Sequence, residues 1–362
     1  MVPTHQSFAS QELFLAGLAS LSPHEGASDQ AGKVARGDAL SALAGLLDAD
    51  MQACNRAIIA RMDSPVALIP QLAAHIVAAG GKRLRPLLTL ATARLCGYAG
   101  GDRHVQLAAC VEFIHTATLL HDDVVDESQL RRGLASANAV FGNQASVLVG
   151  DFLFARAFQL MVADGSLPVL AILSRAAATI AEGEVLQLAT QNDLSTDEER
   201  YLEVIRGKTA ALFAAACQVG AIIAERPAAE GAALAEYGMA LGIAFQLVDD
   251  ALDYAADEAV LGKTVGDDFR EGKVTMPVLA AYHAGNAEER AFWQRTIEAS
   301  EQTEADLPRA LHLVAERGAI QATLDRAAGF AADAKRALAI FPDSALRQGL
   351  MGVADYTVSR LR

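Results

Sequence analysis

LLHDDVVDESQLRRG, residues 119–133, places three carboxylates, Asp122, Asp123 and Asp126, directly behind an apolar run. On a helix, Asp122 and Asp126 share one face, and like charges at that spacing weaken a helix by roughly 0.2–0.5 kcal/mol. Charges that lose water cost far more unless something compensates them. Either the face is fully solvated or a cation belongs there. FQLVDDALDY, residues 245–254, repeats the D-D-x-x-D spacing with Asp249, Asp250 and Asp253, again behind an apolar helical stretch. Two such copies are hard to read as solvated surface. Clustered carboxylates without His or Cys select hard cations, and Mg²⁺ binds through a few carboxylates plus substrate phosphates. The spacing is not that of an EF-hand, whose alternating D-x-D-x-D, central Gly and terminal Glu are missing.

Cations recur near both copies. Gly80-Gly81-Lys82-Arg83-Leu84-Arg85-Pro86 carries three of them at a loop entering a helix. A helix N-terminus already attracts anions through its free N–H groups and its dipole. Arg131 and Arg132 follow the first Asp cluster, and Lys263 follows the second in LGKTVGDD. Lys208, with Thr209 beside it, enters a very apolar helix in EVIRGKTAALF. The chain as a whole is acidic, with 30 basic against 44 acidic residues and a net charge of −14. That balance argues against sequence-independent nucleic-acid binding, which runs on basic patches. Six Asp held near several cations instead suit a multiply charged phosphate ligand bridged by Mg²⁺.

The rest reads as all-α. Hydrophobic residues make up 52% of the 362, enough for a sizeable core. Ala- and Leu-rich windows with helical spacing recur from about residue 40, and strand signals are nearly absent. The pattern predicts helices over 41–61, 66–79, 86–97, 103–127, 136–163, 168–191, 196–222, 228–256, 273–284, 287–301, 304–316, 318–339 and 343–360. Several are apolar on more than one face, which implies a large bundle with helices buried all round. Pro86 fits the first turn of a helix, and Ser195 with Glu198 fits a capping box. Residues 1–38 read as a flexible extension with one apolar patch, LFLAGLASL at 13–21, and 39–362 as a single domain. No constant period marks a repeat.

Cys54, Cys96, Cys110 and Cys217 form no CxxC pair and read as buried thiols of a reducing compartment. No secretory signal or mitochondrial presequence is legible. The apolar run at 210–224 is shorter than the ~18–20 residues a membrane span needs, so it reads as a core helix. Glu112-x-x-His115 fits half of a carboxylate-bridged di-iron site, but no second Glu-x-x-His exists.

GGKRLRP, HDDVVDESQLRRG, GKT, FQLVDD, LGKTVGDD and EGKVTMP occur in this order. On these motifs the chain closely resembles the trans-polyprenyl diphosphate synthases, the head-to-tail prenyltransferases, from about residue 40 to the C-terminus. It is most similar to the proteobacterial long-chain members that make the ubiquinone side chain. The resemblance implies the isoprenoid (class I terpene) synthase fold, a large helical bundle around a central cavity. It also implies a cytoplasmic homodimer that uses Mg²⁺, about three ions per active site. Weak peripheral contact with the inner membrane would suit release of an apolar product.

The resemblance further implies roles. Asp122, Asp123 and Asp126 would bind Mg²⁺ that bridges the allylic diphosphate. Asp249 would bind a further Mg²⁺, with Asp250 and Asp253 in support. Lys208, Lys263, Gln246 and Arg131 would contact the allylic diphosphate, with Thr209 beside it. Lys82, Arg85, His115 and Arg132 would hold isopentenyl diphosphate, and Arg83 would be structural or peripheral. The double bond of isopentenyl diphosphate would attack an allylic cation in a site that excludes water, giving products of roughly C40–C50.

Chain length is then a steric question. In short-chain relatives a bulky aromatic near the fifth position before the first motif blocks elongation. Here that position is Ala117, next to Thr118. The tunnel would continue past Ile114 toward Cys110, with Phe158, Met161 and Leu173 as its far wall. The alternatives are a shorter-chain (C15–C20) synthase, a terpene cyclase of the same fold, and a non-catalytic subunit of a heteromeric synthase. GGKRLRP and the second Asp motif argue against a cyclase, and retention of both Asp motifs argues against a silent subunit.

Overall fold

The computed structural model describes residues 38–78, 80–131, 133–255 and 265–360. Most of the N-terminal extension, Arg132 and Lys263 lie outside the described residues. Five helices open the chain: α1 (Asp38–Leu46), α2 (Asp48–Arg61), α3 (Leu68–Ala78), α4 (Leu84–Leu95) and α5 (Arg103–Val125). A hairpin of two-residue strands follows, β1 (Leu130–Arg131) and β2 (Leu134–Ala135). Then come α6 (Ala137–Phe141), α7 (Asn143–Asp164), α8 (Leu167–Thr190) and α9 (Glu198–Ile205). A π-helical turn, Arg206–Ala210, joins α9 to α10 (Ala211–Ile223), which leads to α11 (Ala228–Ala255). The C-terminal part contains α12 (Asp267–Arg270), α13 (Met276–Ala284), α14 (Ala287–Trp293), α15 (Asp306–Glu316), α16 (Ala319–Ala337) and α17 (Ala345–Ser359).

Four expected helices are broken, one of them over 287–301, which passes into a second π turn at Gln294–Glu298. The one over 41–61 divides at Leu47 into α1 and α2. The one over 136–163 divides at Gly142, whose φ of 84° is open to glycine and strained for other residues. The one over 196–222 passes through the π turn. The hairpin was not legible, because two residues per strand leave no alternation to read. The expected capping box also differs. Asp197, not Ser195, caps α9, accepting from the Arg200 N–H at 2.8 Å. Ser195 instead donates its N–H to Asp193 at 2.9 Å.

Apolar burial assembles these helices around two adjoining clusters. α2, α4, α5, α7, α8 and α10 surround the first, and α9, α13, α15 and α16 the second. The N-terminal half of α11 enters the first cluster and its C-terminal half the second. α5 packs along α7, while α11 packs on α10 and α16. α10 is buried as its apolar run predicts, with Phe213, Ala216, Cys217 and Val219 fully enclosed. All four cysteines are free and buried, and burial pushes the Cys54 and Cys96 thiols up to about 12. α7 and α11 are long and apolar enough to cross a membrane by length and composition, but most of that stretch of α11 lies inside the bundle.

Candidate active site

Both Asp clusters stand at the C-terminal ends of long helices, α5 and α11. That is the end of the dipole that disfavours negative charge, so each cluster depends on nearby cations. Burial pushes the Asp122 carboxyl up to about 7, Glu184 and Asp126 push it the same way, and Lys208 and Arg131 oppose. Asp126 pairs with Lys273 at 3.2 Å. Asp123 points elsewhere. It is buried and bridged by Arg131, whose Nε donates to both carboxylate oxygens at 2.8 and 3.0 Å. The β hairpin supplies that arginine, and Asn138 fastens it by donating to the Asp123 and Ser128 carbonyls at 2.9 and 3.0 Å.

The second cluster divides in the same way. Asp249 faces outward and accepts from Arg360 at 2.5 Å, whose guanidinium lies 5.0 Å from the Phe245 ring centre. Asp250 is buried and accepts from the Tyr201 hydroxyl at 2.5 Å and from the Gln246 amide at 2.7 Å. Burial pushes its carboxyl up to about 7, with Asp268 and Asp249 adding to the rise against those two hydrogen bonds. Asp253 is enclosed and accepts the Asp268 N–H at 3.1 Å. Thr209 extends the chain by donating to Gln246 at 2.7 Å.

Two lysines stand by the first cluster and line a cleft with Asp250 of the second. Lys208 sits in the π turn and bonds Glu184 at 2.6 Å. Such turns insert one extra residue and recur at functional sites. Here α8 approaches closely: a Cβ on Gly207 would lie 3.1 Å from the Gly183 Cα, and one on Gly183 would overlap the Lys208 nitrogen. Lys273 bonds Asp126 and Glu271. Burial would lower its pKa, but Asp268, Asp126 and Glu271 outweigh this and hold it raised and charged. Lys208, Thr209, Gln246, Asp250, Asp268 and Lys273 line one cleft.

Two to three turns before the first Asp cluster on α5, the side chains of the GGKRLRP loop spread apart. Lys82 bonds the Tyr356 hydroxyl and lies 4.7 Å from that ring centre. Arg85 lies 3.1 Å from His115 Nε2 and 4.4 Å over the Phe213 ring. Arg83, expected to be structural or peripheral, pairs with Glu112 at 2.9 Å.

Of the chain-length residues, Ala117, Met161 and Leu173 are buried, as are Ile114 and Cys110. Thr118 is half-buried and donates to the His115 carbonyl at 2.8 Å. Phe158 departs from expectation. It is 45% exposed on the outer face of α7, whereas Met161 faces inward, so in this protomer it walls no tunnel.

The donor set fits a hard cation: oxygen ligands only, with like charges raising one another's pKa. Among the described residues, no three His, Cys, Asp or Glu side chains converge to hold a metal ion unaided. Glu184, Tyr201, Asp268, Lys273 and Arg360 were missed by sequence reasoning. The Glu-Gly-Glu pair at 182–184 in the apolar stretch of α8, and the lysine of EGKVTMP, were the available signals for two of them.

The family profile described as polyprenyl synthetase matches residues 66–314. Over 313 residues, 86% of this chain and 96% of the relative, the sequence is 50% identical to the octaprenyl diphosphate synthase of Escherichia coli K12. The polyprenyl synthase of Caulobacter crescentus, solved with calcium and isoprenyl diphosphate, is 54% identical with a TM-score of 0.87, covering 94% of this chain and 100% of that one. A decaprenyl diphosphate synthase from Rhodobacter capsulatus is 56% identical with a TM-score of 0.85, covering 89% of this chain and 99% of that one.

Proposed function

The chain belongs to the polyprenyl synthetase family, and from that premise we propose how its cleft extends an allylic diphosphate with isopentenyl diphosphate to roughly C40–C50. It is a long-chain all-trans prenyltransferase. The observation that supports the site assignment is the cleft lined by Lys208, Lys273 and Asp250 of the second cluster, with Lys273 bonded to Asp126 of the first. Asp122, Asp126 and Asp249 are the carboxylates for metal, while Asp123, Asp250 and Asp253 hold the surrounding framework. Bound Mg²⁺ supplies Lewis-acid stabilisation of the charge that develops on the leaving diphosphate.

The protein's own groups do the rest. Lys208 and Lys273 counter the diphosphate charge, and Thr209 and Gln246 fix its orientation. Lys82, Arg85 and His115 hold isopentenyl diphosphate beside it. Departure of the allylic diphosphate leaves a cation, and the isopentenyl double bond attacks its C1 carbon. The resulting cation loses a proton to the departed diphosphate, so no protein nucleophile or base is required. The tail extends past Ala117 and Thr118 into the apolar interior between α5, α7 and α8.

The same reading includes a homodimer and a single catalytic domain over 39–362. α7 and α8 carry exposed Leu148, Phe158, Val162, Val185 and Leu188, an apolar face suited to a second copy. It also places the enzyme in the cytoplasm, with product release into the inner membrane for ubiquinone synthesis. Incubation with Mg²⁺, farnesyl diphosphate and labelled isopentenyl diphosphate, followed by chromatography, tests the chemistry. Products of roughly C40–C50 are expected, and a series ending at C20 sinks the long-chain assignment.

A further inference from the structure

The R-x-R of the loop and the E-x-x-H of α5 meet as two parallel rungs. Arg83 Nη1 donates to Glu112 Oε1 at 2.9 Å, and Arg85 Nη1 lies 3.1 Å from His115 Nε2. Residues 112 and 115 are neighbours on the helix surface, so their spacing matches the two arginines. Arg83 is the N-cap of α4, with φ and ψ both 43°. A residue with a Cβ occupies that left-handed region only when its surroundings hold it there. No side-chain cap does so at this helix end. The pair with Glu112 is available to do it, being well enclosed at 20% and 13% exposure. It also lies close enough to α2 for both charges to act on the Cys54 thiol. On either side of the strained residue the chain sends Lys82 to Tyr356 and Arg85 to Phe213 and His115. Arg83, Glu112 and His115 line one pocket, so a displaced pair is felt at the site.

We propose that Glu112 and Arg83 are positioning residues, whose ion pair clamps the loop in the left-handed turn that aims Lys82 and Arg85 at isopentenyl diphosphate. The inference rests on the assignment of that substrate to Lys82, Arg85 and His115. The clamp acts through those residues, so it governs one substrate and not the other. Steady-state kinetics on the full chain, Glu112→Gln and Arg83→Gly read it out. Glutamine keeps the shape of Glu112 without its charge, and glycine accepts the left-handed backbone without the pair.

The KM for isopentenyl diphosphate should rise about tenfold in both variants, the scale of one misplaced charged hydrogen bond. The KM for farnesyl diphosphate should hold. The double variant Arg83→Glu with Glu112→Arg should recover most of the loss. An unchanged isopentenyl KM in a folded variant overturns the proposal, even with a lowered Tm, and so does an equal rise in both KM values. Should Glu112→Gln fail to fold, Arg83→Gly decides alone. A wild-type protein that consumes no isopentenyl diphosphate defeats the parent assignment instead.

Discussion

Asp122 and Asp123 are adjacent in sequence and differ in surroundings, because consecutive residues point about 100° apart around a helix. Asp122 faces Lys208 and the cleft, while Asp123 is committed to Arg131. Asp122→Ala should therefore lower kcat by about 10²–10³, the scale of losing one preorganised electrostatic contact, with helicity unchanged by circular dichroism. Asp123→Asn should cost less, because it acts only through Arg131. Equal losses in the two variants would contradict the division. The spacing D-D-x-x-D was enough to find these carboxylates in the sequence. It could not rank them, because their partners come from the hairpin, from α9 and from the C-terminus. Tyr201 shows the same limit: nothing near it in sequence marks it as the donor to Asp250. Tyr201→Phe should lower stability by about 1–2 kcal/mol in urea unfolding and leave most activity. A neutral result would mean that Gln246 alone satisfies that buried carboxylate.

Local pattern located the elements well and their faces poorly. α10 was legible because a run apolar on all sides has to be buried. α7 is also apolar on several sides, yet only one is covered in the protomer. That is why Phe158 was misplaced while Met161 and Leu173 fell inside. The π turn left no mark in the sequence, since it depends on α8 pressing Gly183 against Gly207. Gly183→Ala should push the two elements apart, move Lys208 and lower stability by about 1–3 kcal/mol, the usual cost of overpacking. A variant with normal Tm and normal kcat would dissociate the turn from the site. Ala117→Tyr probes the tunnel along α5 and α7. The larger side chain should shorten the product series on chromatography. An unchanged distribution would move the growing tail to another path.

At the scale of the whole molecule, the fold holds carboxylates of two kinds, and they respond to pH in opposite directions. The Asp122 and Asp250 carboxyls stand at about 7 in the folded protein, against an ordinary value of 3.8. A raised carboxyl pKa favours the protonated form in the folded state. The stability of the metal-free protein therefore falls as pH rises between about 4 and about 7. Asp306, Asp50 and Glu289 are held below their ordinary values by hydrogen bonds from Arg295, Arg94 and Arg317. Their contribution is present at neutral pH and is lost only as pH falls below the ordinary carboxylate range. Mg²⁺ binds the ionised carboxylate, so it should stabilise most where the metal-free protein is weakest. In chelator, Tm should drop between pH 5 and pH 8. Adding Mg²⁺ should raise it by several degrees at pH 8, where about 1 kcal/mol moves Tm by about 2–4 °C in a protein of this size, and hardly at all at pH 5. Self-repulsion from the −14 net charge would also weaken the protein as pH rises, but it does not depend on one residue. Asp122→Asn should flatten the drop between pH 5 and pH 8 and reduce the Mg²⁺ response. A metal-free Tm that climbs across this range, or an equal Mg²⁺ shift at both pH values, would place the titrating groups outside the cleft.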